Sequence, residues 1–357
     1  MTNKFQPNWS ISPGDSIQKL LELKNISLDD FAYSIGEKPS MVDSLINNSC
    51  QIDETVAQTL SVTLGSSPAY WLNISKVYNE WSKSRIDADK DLWLKDLPLN
   101  FMESNGWVDS KTDRYEECLK FFDIKSVGEF KNKYDQLHNE FAFRKSSAFS
   151  EEFGATIAWL RKGEIEANKQ VTTKWDPEQV TKKLDDLKQI SRVKSPKQFI
   201  PRLTSLCNAL GISLVILRAP KGCRASGASK FISNSKAMIL LSFRYLTDDQ
   251  FWFTFFHELG HLVMHPEVAL FLEANSEVQN DFELEANLFA GELLVPSEFY
   301  PVLKKTRGKK SILKLAQELG ISPGILVGQM QFAGITKPSY YNHYKRRYNW
   351  DEINQTS

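Results

Sequence analysis

Three of the five histidines of the chain lie within nine residues, at intervals of four. They are His257, His261 and His265, and Glu258 completes the pattern HExxH. Side chains four positions apart share one face of an α-helix, so His257 and His261 could offer imidazole nitrogens to the same divalent ion. Glu258 would lie beside the open coordination position, where it could act as general base and take a proton from a metal-activated water. The pattern therefore predicts a hydrolytic metal centre.

The alternative is a helix whose histidines only complete its surface or core, because HExxH also arises by chance. The regular histidine spacing and the apolar run at residues 251–256 favour the metal site. For His265 a fourth metal contact and a substrate contact both stay open. A histidine that ends the helix is the simplest reading, since a cation is favoured near a helix C-terminus.

A catalytic metal site needs a third protein ligand if water is to occupy the fourth position. The extended pattern HExxHxxGxxH is absent, because Met264 and Glu267 stand where it needs Gly and His. The ligand must therefore come from another element. Residues 281–290 have the apolar spacing of a helix and carry acidic side chains.

Within this second helix we expect Glu285 to be the ligand. Small neighbours, Ala286 and Ala290, would allow the helix to pack closely on the HExxH helix. Glu283 points about 200° away from Glu285 around the helix axis. We therefore expect Glu283, and also Glu292, to lie on a solvated face.

The elements that must position these residues can be read from the flanking sequence. Thr247 and Gln250 have the spacing of a capping box, and Pro266 would stop a helix, so one helix is predicted over residues 248–265. Apolar runs at 212–217 and 237–243 predict strands, with a less apolar third strand near 228–232.

The strand at 237–243 directly precedes the HExxH helix. It could form a sheet edge on which an extended peptide substrate adds as a further strand. A fully paired central strand is equally compatible with its composition.

A second pattern lies near the N-terminus. Ser27 can cap a helix that carries Ala32, Gly36 supplies a tight turn, and Pro39 opens the next helix, which carries Val42. A small residue at 32 allows the two helices to cross closely. The pattern predicts a helix-turn-helix.

Two segments, 257–265 and 285–296, together resemble the ImmA/IrrE family of metallopeptidases. The similarity spans about residues 200–350 and includes Arg244 and, more weakly, His343. We regard both side chains as candidates for contacts with the substrate or the transition state.

The resemblance implies that His257, His261 and Glu285 bind a metal ion and that Glu258 is the catalytic base. Zinc is the expected ion, although two histidines and a carboxylate also accept manganese or iron. The family further implies a protein substrate, often a helix-turn-helix repressor, cleaved in stress responses or mobile elements. A toxin–antitoxin setting is also compatible.

Residues 13–73 are similar to the helix-turn-helix domain of HigA-like antitoxins in the XRE repressor class. Up to Trp81, however, the sequence contains five basic and nine acidic residues, which gives a net charge of −4. DNA binding needs positive charge at the phosphates. Lys38, Ser40 and Ser44 are the candidate DNA contacts, but we expect this domain to recruit a protein or to form a homodimer.

The predicted fold is multi-domain and mainly α with a small β-sheet. We expect a helix-turn-helix bundle (1–82), a helical connector (83–198), an α+β zincin-like metallopeptidase domain (199–305) and a C-terminal helical segment (306–357).

The leading function is that of a metallo-endopeptidase. The alternatives are a DNA-binding regulator or antitoxin, whose peptidase-like half senses or scaffolds, and an interaction protein that recruits a partner. Overall charge is zero, with 44 basic and 44 acidic residues, so no global field indicates nucleic acid or membrane. Four scattered cysteines, and no long apolar segment or signal sequence, predict a cytoplasmic protein.

Overall fold

The computed structural model describes residues 10–142, 149–266, 271–272 and 281–354. The chain forms two compact units, residues 1–93 and 94–357. Within the described part of the chain, no helix combines the length and the apolar character needed to cross a membrane.

The first unit is a bundle of helices. Its elements are α1 (Pro13–Lys24), α2 (Leu28–Ser34), α3 (Pro39–Ile46), α4 (Glu54–Leu64) and most of α5 (Pro68–Asp96).

The predicted helix-turn-helix is formed by α2 and α3. The Ser27 hydroxyl accepts a hydrogen bond from the backbone N–H of Asp30 and so caps α2. Ala32 is buried, and Gly36 has φ +71°, a conformation that suits glycine. Val42 is buried on the inner face of α3. The helix-turn-helix prediction is confirmed, and its packing depends on the positions that the sequence indicated.

The second unit begins with helices that lead up to the sheet. They are α6 (Leu99–Ser104), α7 (Arg114–Phe122), α8 (Val127–Ala142), α9 (Phe149–Lys169), α10 (Pro177–Lys182), α11 (Leu184–Ile190) and α12 (Pro196–Ala209).

The sheet and the helices around it follow. They are β1 (Ile212–Ile216), β2 (Gly227–Ser233), β3 (Lys236–Leu241), α13 (Asp248–Met264), β4 (Phe271–Leu272), α14 (Asp281–Leu294), α15 (Tyr300–Lys305), α16 (Gly308–Glu318), α17 (Pro323–Phe332) and α18 (Trp350–Asn354). Short 3₁₀ turns occur at Ser297–Phe299 and Asn342–Tyr344.

The strand order of the sheet is β1-β3-β2-β4. β3 pairs in parallel with β1 and antiparallel with β2, so it is a central strand. The three predicted strands are present. Of the two alternatives for residues 237–243, the sheet edge is wrong and the paired central strand is found. The local sequence of a strand does not reveal which strands pair on its two sides.

Helix α13 crosses the core of the second unit. Phe251, Trp252, Phe255 and Phe256 are buried, which explains the unusually apolar run before the HExxH pattern. The predicted helix is confirmed. Its capping box is not formed, because the Thr247 side chain makes no capping hydrogen bond.

A cluster of charged and polar groups instead holds the first turn of α13. The buried Asp248 carboxylate accepts hydrogen bonds from the Ser322 hydroxyl (2.6 Å) and the Arg346 backbone N–H (2.9 Å). The Lys345 ammonium lies 2.6 Å from the Asp249 carboxylate. We call Asp248, Asp249, Ser322, Lys345 and Arg346 the first-turn cluster. It ties a segment distant in sequence to the start of the metal-site helix.

The helical segment before the sheet lies in the same compact unit as the sheet. The Trp159 indole on α9 donates a hydrogen bond to the Leu217 carbonyl oxygen (3.0 Å), beside β1. Gly163 lies so close to the Leu240 side chain that a Cβ atom would clash with it. The finer division at residues 83–198, 199–305 and 306–357 stays a prediction.

Candidate metal centre

The HExxH residues lie on α13 where α14 packs against it. His257, Glu258 and His261 are almost fully buried. A Cβ atom at Gly260 would lie only 3.4 Å from the Ala286 Cα atom, and Ala286 and Ala290 are fully buried. The two helices approach closely because small residues face each other.

Three side chains converge at this contact. The Nε2 atoms of His257 and His261 are 3.0 Å apart. The Glu283 carboxylate lies 3.2 Å from His257 Nε2 and 3.5 Å from His261 Nε2. In a tetrahedral zinc site with metal–nitrogen bonds of about 2.0–2.1 Å, neighbouring ligand atoms are separated by about 3.3 Å. The chemistry and spacing of this donor set fit a divalent metal ion.

This geometry corrects the expectation for the third donor. Glu283, not Glu285, lies with the two histidines, and Glu285 instead lies 3.3 Å from His265 Nε2 with half of its side chain exposed. Glu283 precedes Ala286 by three positions and Ala290 by seven, so it shares their face of the helix, whereas Glu285 is rotated about 100° from Ala286. The alanines correctly indicated that α14 packs closely on α13. The acidic residue on the same face as these alanines is Glu283.

Asn287 belongs to the site and was not foreseen. Its Oδ1 atom lies 3.1 Å from His257 Nδ1, where it can accept a hydrogen bond from the imidazole N–H. This contact favours the tautomer whose Nε2 lone pair is available to a metal ion. Asn287 is one helical turn after Glu283, so the spacing of the pair could have indicated that both face α13.

The environment favours the protonation states of metal ligands. Burial would raise the pKa of Glu283, but hydrogen bonds with His257 and His261 and their charge lower it to about 2. Burial lowers the pKa of His261. The first effect favours the ionised carboxylate, and the second favours the neutral His261 imidazole; these are the forms that bind a metal ion.

Glu258 lies against strand β2. Its Oε2 atom accepts a hydrogen bond from the Ser229 hydroxyl (2.6 Å), and both side chains are fully buried. A Cβ atom at Gly227 would lie 2.5 Å from Glu258 Oε1. Gly227 and Ser229 are two positions apart and therefore face the same side of the strand. The alternation of side chains along a strand could have indicated that Gly227 and Ser229 share a face. It could not have indicated that this face meets Glu258.

Two further candidates lie in other surroundings. Arg244 donates a hydrogen bond to the Arg224 carbonyl oxygen and lies over the Tyr245 ring. The ring of His343 lies 4.1 Å from that of Tyr344. In the part of the chain that the structure describes, no hydrogen bond or ion pair joins either side chain to the metal donors. Their role in substrate binding stays a prediction.

The candidate DNA contacts lie on or beside α3. Lys38 and Ser40 are exposed at its N-terminal end, and Ser44 is partly buried. The Ser44 hydroxyl donates to the Ser40 carbonyl oxygen within the helix. These positions suit a helix-turn-helix surface, and DNA binding by this surface stays untested.

Known proteins resemble this chain in two ways, which correspond to its peptidase-like and helix-turn-helix regions. Residues 207–328 match the IrrE N-terminal-like domain of a peptidase family. An uncharacterized helix-turn-helix-type transcriptional regulator of Escherichia coli, YddM, is 36% identical over 80 residues, which cover 22% of this chain and 82% of that protein. Residues 207–328 therefore form a domain of the IrrE-like peptidase family. In this chain, a helix-turn-helix region accompanies the IrrE-like domain.

Proposed function

We propose that this chain is a zinc-dependent endopeptidase of the ImmA/IrrE type that cleaves a helix-turn-helix transcriptional repressor. The observation that carries the catalytic part is the buried convergence of His257, His261 and Glu283 beside Glu258. A structural ion pair would not require two imidazoles to face the same carboxylate.

The three converging side chains would hold the ion. When bound, a zinc ion supplies Lewis acidity that activates water and polarises a peptide carbonyl group. Asn287 orients His257 through Nδ1, and close packing of α14 fixes Glu283. Manganese or iron would suit the same donors.

Glu258 would move the protons of the reaction. Its carboxylate takes a proton from the attacking water and passes it to the nitrogen of the leaving amine. The Ser229 hydroxyl, at 2.6 Å from Oε2, orients this carboxylate, and the close approach of Gly227 leaves it little freedom to rotate. Orientation by a rigid strand reduces the reorganisation that proton transfer would otherwise require.

Support for a repressor as the substrate comes from the family resemblance and from the N-terminal unit. That unit has the fold of a DNA-binding module but a net charge of −4 up to Trp81. Such a surface neutralises few phosphates, so contact with another protein suits it better. We propose that it recruits the substrate or pairs with a second copy of the chain.

A second candidate function is favoured by the comparison with a transcriptional regulator. In this alternative the N-terminal unit binds an operator and the peptidase-like unit acts as a sensor or scaffold, in a stress-response, mobile-element or toxin–antitoxin setting. A test of catalysis distinguishes the two functions, because a sensor or scaffold does not require Glu258 to move protons.

The test is to incubate the zinc-loaded protein with repressors encoded by neighbouring genes and to measure the masses of the products. We expect one or a few defined fragments with the wild-type protein and none with Glu258→Gln. Equal fragments with both proteins would show that cleavage comes from a contaminating protease. Intact repressors throughout would favour the regulator.

A further inference from the structure

Charge is distributed very unevenly along this neutral chain. Between residues 301 and 350 there are ten basic residues and a single acidic one, Glu318, which gives a local net charge of +9. The N-terminal helix-turn-helix region is acidic by comparison. An excess of positive charge is therefore concentrated in α15, in α16 and in the segment that follows α17.

Part of this charge forms one exposed surface. Six of the eleven residues from 304 to 314 are cationic, and all six are exposed; we call them the cationic face: Lys304, Lys305, Arg307, Lys309, Lys310 and Lys314. Leu303, Ile312 and Leu315 are buried on the opposite side of the same helices. The face is thus held in place by the core, and its cations point outward.

The cations of this face are available to a partner. Arg307 donates hydrogen bonds to the carbonyl oxygens of Thr306 and Ile335, which do not neutralise its charge. Among the described residues, no carboxylate forms an ion pair with any of the six side chains. Six exposed like charges within eleven residues repel one another, and a polyanion would relieve that repulsion.

A neighbouring segment extends the positive surface. The Tyr341 hydroxyl lies 3.4 Å from the Gly308 backbone nitrogen, at the start of α16. Lys337 precedes it and lies over the Tyr340 ring, and both of these side chains are exposed. The segment thus places further cationic and aromatic side chains beside the cationic face.

We propose that the cationic face binds the phosphate backbone of double-stranded DNA without reading its sequence. Duplex DNA carries about one negative charge per 1.7 Å of helix axis, so a compact group of six cations can contact several phosphates at once. Single-strand binding relies largely on successive bases stacking on aromatic side chains. The cationic face has no aromatic residue of its own, and of the two tyrosines beside it only Tyr340 is exposed. Duplex DNA therefore fits this surface better.

The structure also explains why this binding would be independent of sequence. Helices α16 and α17 follow each other across a short turn, but α17 is buried on most of its surface, including Ile325, Val327 and Met330. It cannot enter a DNA groove as a recognition helix does. Contacts from the cationic face would be to phosphates, which position a protein on DNA without specifying bases.

The test measures binding of the full-length protein to a fluorescent duplex of about 30 base pairs over a range of salt concentrations. Six phosphate contacts predict a slope of roughly −5 in log affinity against log salt. The triple variant Lys309→Gln/Lys310→Gln/Lys314→Gln should weaken binding at least tenfold and reduce the slope to roughly −3. A matched control, Lys111→Gln/Lys125→Gln/Lys131→Gln, removes the same charge from exposed positions elsewhere in the second unit and should bind like wild type.

Three results would overturn the proposal. Unchanged affinity and slope in the triple variant would assign DNA binding to another surface. An equal loss of affinity in the control variant would show that only the net charge of the protein matters and not the cationic face. Equal or tighter binding of a single strand or of a polyglutamate peptide would assign the face to another partner. Catalysis does not enter these measurements, so failure of the peptidase proposal would leave this one unaffected.

Discussion

The two ends of helix α13 both contain buried charged groups, but these groups are satisfied in different ways. At the N-terminal end, the first-turn cluster opposes the Asp248 and Asp249 carboxylates with hydroxyl, backbone and ammonium donors. At the C-terminal end, two imidazoles face the Glu283 carboxylate at 3.2 and 3.5 Å. In the first arrangement protein donors and a cation oppose the carboxylates, whereas the second has the donor set of a metal site.

Burial and charge alone therefore do not separate a structural cluster from a functional one. The deciding feature is the chemistry of the partners. A buried carboxylate that protein donors surround already has its hydrogen-bond partners, whereas several lone-pair donors directed at one point indicate a site for a positive ion. The two ends should therefore respond differently to mutation.

The largest effect is expected at Glu258. Glu258→Gln preserves the size of the side chain but removes the base, so the cleavage rate should fall about 10²- to 10⁴-fold. Zinc content and thermal stability should stay close to those of wild type. Rate measurements on a cleaved repressor, with metal analysis of the same samples, check this prediction. A variant with full activity would remove Glu258 from the mechanism.

The next effect is structural and concerns the opposite end of the helix. Asp248→Ala leaves the Ser322 hydroxyl and the Arg346 backbone N–H without their acceptor and should lower the free energy of unfolding by about 1–3 kcal/mol. Asp248→Asn should cost less, because the amide can keep part of the hydrogen bonding. Chemical denaturation of the metal-free proteins measures both. Equal stability of Asp248→Ala and wild type would contradict a structural role for the cluster.

The same residue predicts a pH dependence. Burial raises the pKa of Asp248 above its usual value of 3.8, against the opposing effects of Ser322 and Arg346. A raised folded-state pKa means that the stability contribution is full below the unfolded pKa and is lost as pH rises through the folded pKa. The stability of wild type relative to Asp248→Asn should therefore decline as pH increases above about 4. A rising difference would contradict the assigned direction.

A smaller effect, confined to metal binding, is expected on α14. Glu283→Ala should weaken zinc binding about a hundredfold or more, because it removes one of three ligands. Glu285→Ala is the matched control and should retain about one zinc ion per chain. Competition with a chromophoric chelator measures both affinities. The reverse outcome would restore Glu285 as the ligand.

The smallest effect is expected at Asn287. Asn287→Ala removes the acceptor for His257 Nδ1 and should weaken zinc binding about 10- to 100-fold, the usual range for a residue that orients a ligand. Asn287→Asp should retain much of the affinity, since a carboxylate also accepts this hydrogen bond. Unchanged affinity in Asn287→Ala would mean that packing alone orients His257.

Much of the fold was predictable, since helical spacing, apolar runs and turn residues are local properties. The helix at residues 248–264, the three main strands and the helix-turn-helix all followed from them. The site was only partly predictable. His257, Glu258 and His261 are fixed by one helical pattern, whereas the third donor depends on which face of α14 meets α13.

Long-range contacts explain the remaining differences. The pairing of β3 on both sides and the contact between Ser229 and Glu258 join segments that local patterns treat separately. The capping box at Thr247 failed for a related reason, since Ser322 and Arg346 meet the first turn from far along the chain. Sequence patterns predict such contacts poorly, because they do not tell which residue of one element lies opposite which residue of another.

The attachment of Arg346 to Asp248 also constrains the order of folding. Their contact spans 98 positions of sequence, and the Arg346 guanidinium donates to the carbonyl oxygens of Ser191, Arg192 and Val193, which lie 153–155 positions before it. During synthesis, the start of α13 emerges long before its partner exists. Closing such a long loop is entropically slow, so the metal-site helix can become fully anchored only late in folding. A nascent chain that ends before Arg346 would lack this anchor, so the start of α13 would not yet be held in its final position.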